Sequence, residues 1–446
     1  MTSDTQTVPS ISSNSVAQNN IAPLEKTKSR TLTKRGVLWL GQTCNQRCYF
    51  CYFLNRISDA HHPEHPFMSL EKAKEICKQL RYFYGNTSID IQGGEPTIYP
   101  DILELIRYCR EIGLYPTLIT NGLQLAKPGV LEQFRDAGVR DFLVSLHGIG
   151  EQHDLVVGKK GAYEKITVAI QRMRELNFPF RLNCTMSKPV VPLLPEIARR
   201  AVEYGARAVN YIAFNPFEDQ DAGVRTHENV ARYSEIKPYL TEAMDILENA
   251  SIEVNVRYLP LCMGESRHRK NFYNFQQLPY DHHEWDYQSW MWTGLQPERM
   301  RDGDLVPVFR LGPLADRVFR GASNLIRDNY YRRPWRGRIR FTAQHVLGLI
   351  TQAIRGKDVL YREEARKRAA RELHYQYHAG CVQCAARDIC DGFHGDYAGL
   401  FGTSEATPIS EAEVAKTPLH YIQNQEKVVE KEDRNWALKG NSAGNN

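Results

Sequence analysis

The sequence predicts an α/β protein with a parallel sheet, followed by a smaller C-terminal domain. Between Arg35 and Leu259, short strand-like runs alternate with longer segments whose apolar residues recur at helical spacing. Such alternation is typical of parallel sheets, in which each helix connects one strand to the next. Six βα units can be counted, with strands near Val37, Ile89, Tyr115, Asp141, Phe180 and Ala208. The chemically distinctive motifs lie at the ends of these strands, where such sheets bind ligands.

The individual elements have recognisable signals. Ser69 can cap a helix that runs to about Tyr84, since Ala73, Ile76 and Leu80 share one face. Further helices are predicted over 101–112, 163–176 and 195–204. The later strands are predicted over 115–119, 141–146, 180–186 and 208–214.

Composition limits the class of protein. The chain has 446 residues and a net charge of +5, with no run of ~20 apolar residues and no secretory signal pattern. Ten cysteines in such a chain indicate a reducing cytoplasm and metal binding rather than disulfides. Residues 1–30 and 423–446 are polar and are predicted to be disordered tails. The parallel-sheet domain is predicted over 31–260 and the C-terminal domain over 261–422.

Three thiols follow the first strand in the spacing C-x3-C-x2-C, at Cys44, Cys48 and Cys51. Thiolates are soft ligands that select iron–sulfur clusters, zinc or copper. A [4Fe–4S] cluster normally takes four protein thiolates, so three would leave one iron open to a substrate. A zinc loop or a set of core cysteines is the alternative for this motif alone.

A second motif, Gly93-Gly94-Glu95-Pro96, follows the strand near Ile89. Glycines permit close backbone approach, and a carboxylate can pair with an ammonium group. Together the two motifs resemble those of the radical S-adenosylmethionine (radical SAM) superfamily, whose fold is a partial (β/α)6 TIM-like barrel. The resemblance implies that the open iron chelates S-adenosylmethionine and that the glycine-rich motif holds its methionine amino group. The implied chemistry is reductive cleavage to a 5′-deoxyadenosyl radical, which abstracts hydrogen from an organic substrate.

The same resemblance suggests further cofactor contacts at other strand ends. These are Phe50, whose backbone would meet adenine, and the polar residues Thr120, Asn121, Ser145 and Asn183. His147 stands where the family pattern usually has an aspartate. It is predicted to be a catalytic acid or base, with a structural role as the alternative.

Near the C-terminus, Cys381, Cys384 and Cys390 have the spacing C-x2-C-x5-C. This resembles the auxiliary-cluster module of radical SAM enzymes called SPASM, or its shorter form, twitch. No cysteine follows Cys390, and Cys262 follows a strand-like run where twitch modules usually start. We therefore predict a second [4Fe–4S] cluster on these four cysteines, with His378 or His394 as the substitute for Cys262. A structural zinc on the same thiolates is the alternative. Cys77, Cys109 and Cys184 are predicted to be small buried hydrophobes.

A long insertion between Cys262 and Cys381 has an aromatic first part and a basic second part. Residues 310–371 contain sixteen Arg or Lys against five Asp or Glu. An apolar, helix-like stretch lies within it, from Phe341 to Ile354. A solvated face, an acidic peptide, a phosphorylated substrate and an anionic membrane surface all remain open, whereas nucleic acid is not favoured. Membrane association therefore remains an alternative to a freely cytoplasmic location.

Three functions are compatible with these features. The first and favoured one is radical oxidation or rearrangement of a small molecule, such as a sugar, an aminocyclitol or a lipid-linked precursor. The second is modification of a peptide or protein, and the third is a non-catalytic iron–sulfur or zinc scaffold. Either enzyme would need an electron donor such as flavodoxin or ferredoxin.

Overall fold

The computed structural model describes residues 24–27, 33–51, 65–82, 86–214, 225–277, 282–287, 309–310 and 374–430, with scattered helical residues between 339 and 355. Its strands are β1 (Leu24–Thr27), β2 (Thr33–Trp39), β3 (Ser88–Gln92), β4 (Tyr115–Thr120), β5 (Asp141–Ser145), β6 (Phe180–Met186), β7 (Ala208–Ala213), β8 (Glu253–Arg257), β9 (Phe272–Tyr273), β10 (His282–Tyr287), β11 (Phe309–Arg310) and β12 (Lys427–Glu430). Its helices are α1 (Leu70–Tyr82), α2 (Ile102–Glu111), α3 (Val130–Ala137), α4 (Glu151–Val157), α5 (Ala162–Glu175), α6 (Leu194–Tyr204), α7 (Tyr233–Asn249), α8 (Gly395–Phe401) and α9 (Leu419–Ile422).

The main sheet confirms the predicted α/β barrel and is longer than the six predicted units. Its strand order is β11-β10-β2-β3-β4-β5-β6-β7-β8-β9. Every neighbouring pair is parallel except β10 and β11. The six predicted strands are β2 to β7, and the sheet is extended by β8 and β9 on one side and by β10 and β11 on the other. Right-handed twist accumulated over so many parallel strands bends the sheet into a partial TIM-like barrel.

Each central strand is apolar on the side that faces the helices. On β6, Phe180, Leu182 and Cys184 are buried, while Arg181 and Asn183 between them are only partly buried. The three extra cysteines are buried as predicted, and Sγ of Cys109 lies 3.6 Å from Sγ of Cys77. These thiols therefore belong to the helix-facing core of the barrel.

The opposite side of the sheet carries charged pairs near the start of several strands. Arg35 on β2 donates to Asp90 on β3 at 3.0 Å, and Arg181 on β6 donates to Asp141 on β5 at 2.6 Å. A third pair joins Glu253 of β8 to Lys427, with Nζ 2.7 Å from Oε1. We call these three pairs the barrel floor, because they lie toward the amino ends of the parallel strands.

Both predicted tail boundaries need correction. Strand β1 falls inside the predicted N-terminal tail and pairs antiparallel with β12, which falls inside the predicted C-terminal tail. Gln425 and Lys427 are buried, and the amide of Gln425 donates to the carbonyl of Val254. A polar segment can be buried when each polar group meets a partner, and composition alone does not reveal those partners.

No helix in the described ranges is both long enough and apolar enough to cross a membrane. The aromatic and basic parts of the insertion lie mostly outside the described residues, including Arg332, Arg333, Arg336 and the side chain of Trp285.

Candidate functional site

The loop with the first three cysteines begins directly after β2. Cys44, Cys48 and Cys51 are partly buried, and the backbone N–H of Cys51 donates to the carbonyl of Cys48 at 3.0 Å. The N–H of Gln46 points at Sγ of Cys44, 3.4 Å away. Burial, reinforced by the nearby charge of Glu95, raises the pKa of the Cys44 thiol to about 12. Burial also raises the pKa of Cys48. The thiols of Cys44 and Cys48 therefore favour the neutral form, and metal binding must release their protons.

The glycine-rich motif packs against this loop through its backbone. The N–H of Gly94 donates to the carbonyl of Gly41 at 2.8 Å, and the N–H of Glu95 donates to that of Thr43 at 2.9 Å. A Cβ on Gly94 would lie only 2.1 Å from the Thr43 carbonyl oxygen. The sequence predicts close approach to a ligand at this glycine. In the structure its lack of a side chain also permits close contact between two protein loops.

Glu95 joins the ends of two strands. Its Oε1 accepts hydrogen bonds from the N–H of Thr97, at 3.0 Å, and from Oγ1 of Thr120, at 2.6 Å. Its Oε2 accepts from the N–H of Asn121 at 2.7 Å. Burial raises the pKa of this carboxyl, and the hydrogen bonds oppose that shift. Pro96 begins the short helical turn that Glu95 caps.

Asn121 connects this carboxylate to the cysteine loop. Its Nδ2 donates to Oδ1 of Asn45 at 2.6 Å and lies 4.0 Å from Sγ of Cys44. The residues predicted from the two motifs and from Thr120 and Asn121 thus form one connected site at the carboxyl ends of β2, β3 and β4.

His147 lies beside this site and is held as a neutral ring. Its ring centroid is 4.5 Å from that of Phe50, and its Nδ1 accepts from the N–H of Thr185 at 3.0 Å. Its own N–H donates to Nδ1 of His153 at 3.1 Å. Burial, followed by the charge of His153, lowers the pKa of His147 to about 3. Because Nδ1 accepts a hydrogen bond, the single proton lies on Nε2. This geometry favours positioning of the backbone over proton donation, and a catalytic role for His147 stays a prediction.

Ser145 and Asn183 are paired in register at the end of β5. The same row continues through Asn210 on β7 to Asn255 on β8, and Nδ2 of Asn255 donates to Oδ1 of Asn210 at 3.0 Å. The row extends beyond the two residues predicted from the sequence. The sequence does contain a sign of this row, because asparagine recurs in three successive strand-like runs.

The end of α4 supports the cysteine loop from behind, and no sequence motif marks this contact. The N–H of Arg47 donates to the carbonyl of Val157 at 3.0 Å. Gly158 has a φ of 62°, and a Cβ there would lie 2.8 Å from the Arg47 carbonyl oxygen. The guanidinium of Arg47 donates to the carbonyl of Cys44 at 2.8 Å. The end of α4 therefore fixes the middle of the cysteine loop.

The four cysteines predicted to hold the second cluster lie together, away from the first loop. Cys262, Cys381, Cys384 and Cys390 line one pocket, together with Tyr377 and Arg387. More than a hundred residues separate Cys262 from the others in sequence, so only the fold brings them together. His378 and His394 do not line this pocket, and their Nδ1 atoms accept from the N–H groups of Gly380 and Asp396.

Backbone donors already face several of these thiols. The N–H of Ile409 lies 3.3 Å from Sγ of Cys384, and the N–H groups of Leu261 and Gly392 face the thiol of Cys390. Burial raises the pKa of Cys262, Cys381 and Cys390. Hydrogen bonds to sulfur are the outer contacts that cluster thiolates need, so the pocket suits a bound cluster.

Within the described part of the chain, no three His, Cys, Asp or Glu side chains have the geometry of a site for one metal ion. The thiolates of a cubane cluster each bind a different iron and therefore lie further apart than the ligands of a single ion. For the two cysteine groups the structure shows a shared pocket in one case and backbone N–H groups close to sulfur in both.

Comparison with known proteins adds independent information. Residues 40–190 match the family described as the radical SAM superfamily. The chain is 31% identical over 188 residues to an AdoMet-dependent heme synthase of Methanosarcina barkeri, covering 42% of this chain and 52% of that protein. It is 29% identical over 140 residues to a PqqA peptide cyclase of Bradyrhizobium diazoefficiens, covering 31% and 36%.

Among solved structures, Streptococcus suis SuiB bound to S-adenosylmethionine superposes with a TM-score of 0.43 at 18% identity, covering 57% of this chain and 58% of that chain. The chain spans about half or less of the length of these two curated relatives. The match over 40–190 contains the cysteine loop, the glycine-rich motif, Thr120, Asn121, Ser145 and Asn183. Over residues 40–190, which hold both motifs, this chain is similar to the radical SAM superfamily.

Proposed function

We propose that this enzyme carries two [4Fe–4S] clusters and performs a radical oxidation on a peptide substrate. The observation that carries the two-cluster proposal is the single pocket lined by Cys262, Cys381, Cys384 and Cys390. Four thiolates would ligate a cluster fully, which suits one-electron transfer rather than direct substrate binding. Zinc on the same four thiolates is the alternative that the experiment below separates.

In this proposal, Cys44, Cys48 and Cys51 hold the cluster that binds S-adenosylmethionine. When bound, that cluster and S-adenosylmethionine supply a reductive cleavage that yields the 5′-deoxyadenosyl radical. The chain itself fixes the two loops relative to each other, because Glu95 and Asn121 connect the glycine-rich motif to the cysteine loop.

Cofactor contacts are assigned to residues around this framework. Ser145, the last residue of β5, and Asn183, its register partner on β6, are partly buried and can offer polar contacts. Phe50 packs edge-on against Phe214 and His147, which shields one side of the site from water. Gly93, Gly94, Pro96 and Thr120 are also proposed to contact the cofactor.

Relatives favour a peptide substrate over the small molecule predicted from the sequence. Several relatives between 29% and 33% identical are named PqqA peptide cyclases. A small molecule remains the second candidate, because a 31% identical relative is named a heme synthase. Sugars, aminocyclitols and lipid-linked precursors stay within this second class. A one-electron donor such as flavodoxin or ferredoxin completes the proposed partners.

Iron analysis after anaerobic reconstitution tests the two clusters. Wild-type protein should carry about eight irons per chain, as two cubane clusters. Cys48→Ala should retain about four and lose production of 5′-deoxyadenosine from S-adenosylmethionine. Cys262→Ala should lose the second cluster while still producing 5′-deoxyadenosine. Cys184→Ala, which removes a buried core thiol, is the matched control and should keep the wild-type iron content.

The outcomes are distinguishable. About four irons with one zinc would replace the second cluster by a structural zinc and leave the first in place. Wild-type spectra for Cys262→Ala would remove Cys262 from the ligand set. Unchanged cleavage in Cys48→Ala would contradict the assignment of the first cysteine loop.

The substrate class needs a separate test. A short peptide encoded beside this gene should be converted to a product of lower mass, with 5′-deoxyadenosine formed in equal amount. Turnover of a porphyrin or sugar, with no change in the peptide, would favour the second candidate.

A further inference from the structure

A stripe of exposed aliphatic side chains lies on the helical residues between 339 and 355. The exposed fractions are 61% for Ile339, 46% for Val346, 62% for Leu347, 49% for Ile350 and 78% for Ile354. At 3.6 residues per turn these positions fall on one face, and the exposed Ala343 and Ala353 fall between them. We call this set the aliphatic stripe.

The sequence around the stripe is basic at both ends. Residues 329–357 contain seven Arg or Lys and no Asp or Glu. Arg338 and Arg340 flank Ile339, while Arg355 follows Ile354 directly. Trp335 precedes the stripe, and its amphipathic ring is of the kind that favours a membrane–water boundary.

We propose that the aliphatic stripe binds the surface of an anionic lipid membrane, with the helix axis parallel to that surface. An interfacial helix combines an apolar face with Lys or Arg, and here the aliphatic face is bounded in sequence by Arg338, Arg340 and Arg355. From 339 to 354 the stripe would extend about 24 Å along the surface at the usual rise per residue.

Charge argues against a second copy of this chain as the occupant. Two copies meeting at their stripes would bring two segments with seven basic and no acidic residues together. An acidic polypeptide would satisfy the charge, but it would also need a matching aliphatic face along the whole stripe. A lipid surface supplies both anionic headgroups and acyl chains everywhere along that length.

Sedimentation with vesicles tests the proposal on the reconstituted full-length enzyme. Binding is expected to vesicles of mixed phosphatidylglycerol and phosphatidylcholine, to weaken as salt rises, and to be absent with phosphatidylcholine alone. Substituting Arg338, Arg340 and Arg355 with Gln should weaken binding about a hundredfold. The pair Val346→Gln and Ile350→Gln should weaken it by at least about tenfold.

A matched control separates the stripe from aliphatic exposure in general. Val202 on α6 is 38% exposed, and Val202→Gln should leave vesicle binding unchanged. Unaltered iron content in all variants would show that each is folded. The proposal fails if wild-type protein does not bind anionic vesicles, or if the Val346 and Ile350 pair binds them as wild type does. It also fails if the protein binds polyglutamate and no vesicles. A double variant of Val346 and Ile350 whose only effect is dissociation of an oligomer would likewise contradict it.

Discussion

Gly94 illustrates how the absence of one side chain fixes the geometry of two loops. Backbone hydrogen bonds hold residues 41–43 against residues 94 and 95, leaving no room for a methyl group beside the Thr43 carbonyl. The atoms on both sides belong to the backbone, so neither can rotate away as a side chain would.

Gly94→Ala should therefore destabilise the protein by about 2–3 kcal/mol and reduce the iron retained by the cysteine loop. Gly399→Ala is the control, because it lies in α8 with nothing within 4 Å of the added carbon. Urea midpoints and iron per chain provide the measurement. Wild-type values for Gly94→Ala would contradict the close approach of the two loops.

The pair His147 and His153 makes stability depend on pH. Burial lowers the pKa of His147 to about 3 and that of His153 to about 4, from an ordinary value of 6.5. The unfolded chain therefore binds more protons than the folded chain below pH 6.5. Their stabilising contribution is complete above that pH and decreases as the pH falls toward the folded-state values.

Lowering the pH from 7 to 5 should therefore reduce the free energy of unfolding by about 2 kcal/mol for each of these histidines. His153→Asn retains an acceptor for the N–H of His147 and removes one titrating group. The variant should lose about 2 kcal/mol less stability than wild type between pH 7 and pH 5, measured by urea unfolding. Equal losses in the two proteins would show that His153 is not buried as a neutral ring.

At the scale of elements, the sequence predicts the strands better than the helices. Strands such as β6 alternate strictly between buried and less buried residues, and that period can be read directly. Helices α3 and α4 are not predicted individually, because their 8 and 7 residues are too few to show a clear helical period. Helix α7 contains Pro238, which reads as a break in sequence but is accommodated inside the helix.

The candidate site is predictable where its residues are close in sequence. The first cysteine loop, the run from Cys381 to Cys390 and the glycine-rich motif are short local patterns, whereas Cys262 joins the second group from more than a hundred residues away. The roles of Gly94 and Gly158 in loop packing are not predictable, because they depend on segments that approach only in the folded chain. The asparagine row is partly predictable, but its register across β6, β7 and β8 is set by strand pairing.

At the scale of the molecule, the C-terminal segment packs against β8 of the barrel, although β12 itself pairs with β1 in a separate sheet. Lys427 contacts Glu253 and also donates to Oδ1 of Asn255 at 3.1 Å, and both side chains of the ion pair are almost fully buried. Composition predicts a solvated tail here, since a lone lysine in a polar segment carries no sign of its distant partner.

Lys427→Met should leave Glu253 as a buried charge without its cation and cost about 3–5 kcal/mol. Adding Glu253→Gln should recover most of that loss. Lys74→Met is the matched control, because its pair with Glu104 is exposed and should cost at most about 1 kcal/mol. Urea unfolding of the four proteins gives the comparison, and similar losses for Lys427→Met and Lys74→Met would refute the buried pair.

The distance in sequence between Glu253 and Lys427 has a consequence for synthesis of the chain. The two residues are 174 positions apart, so the ribosome adds Lys427 roughly 9–35 s after Glu253 at ordinary elongation rates. Throughout that interval the nascent barrel has its cysteine loop and glycine-rich motif but lacks Lys427, one of the three cations of the barrel floor. The cysteine loop is thus synthesised well before Lys427, whereas the cysteines of the proposed second cluster are complete only when Cys390 has been added.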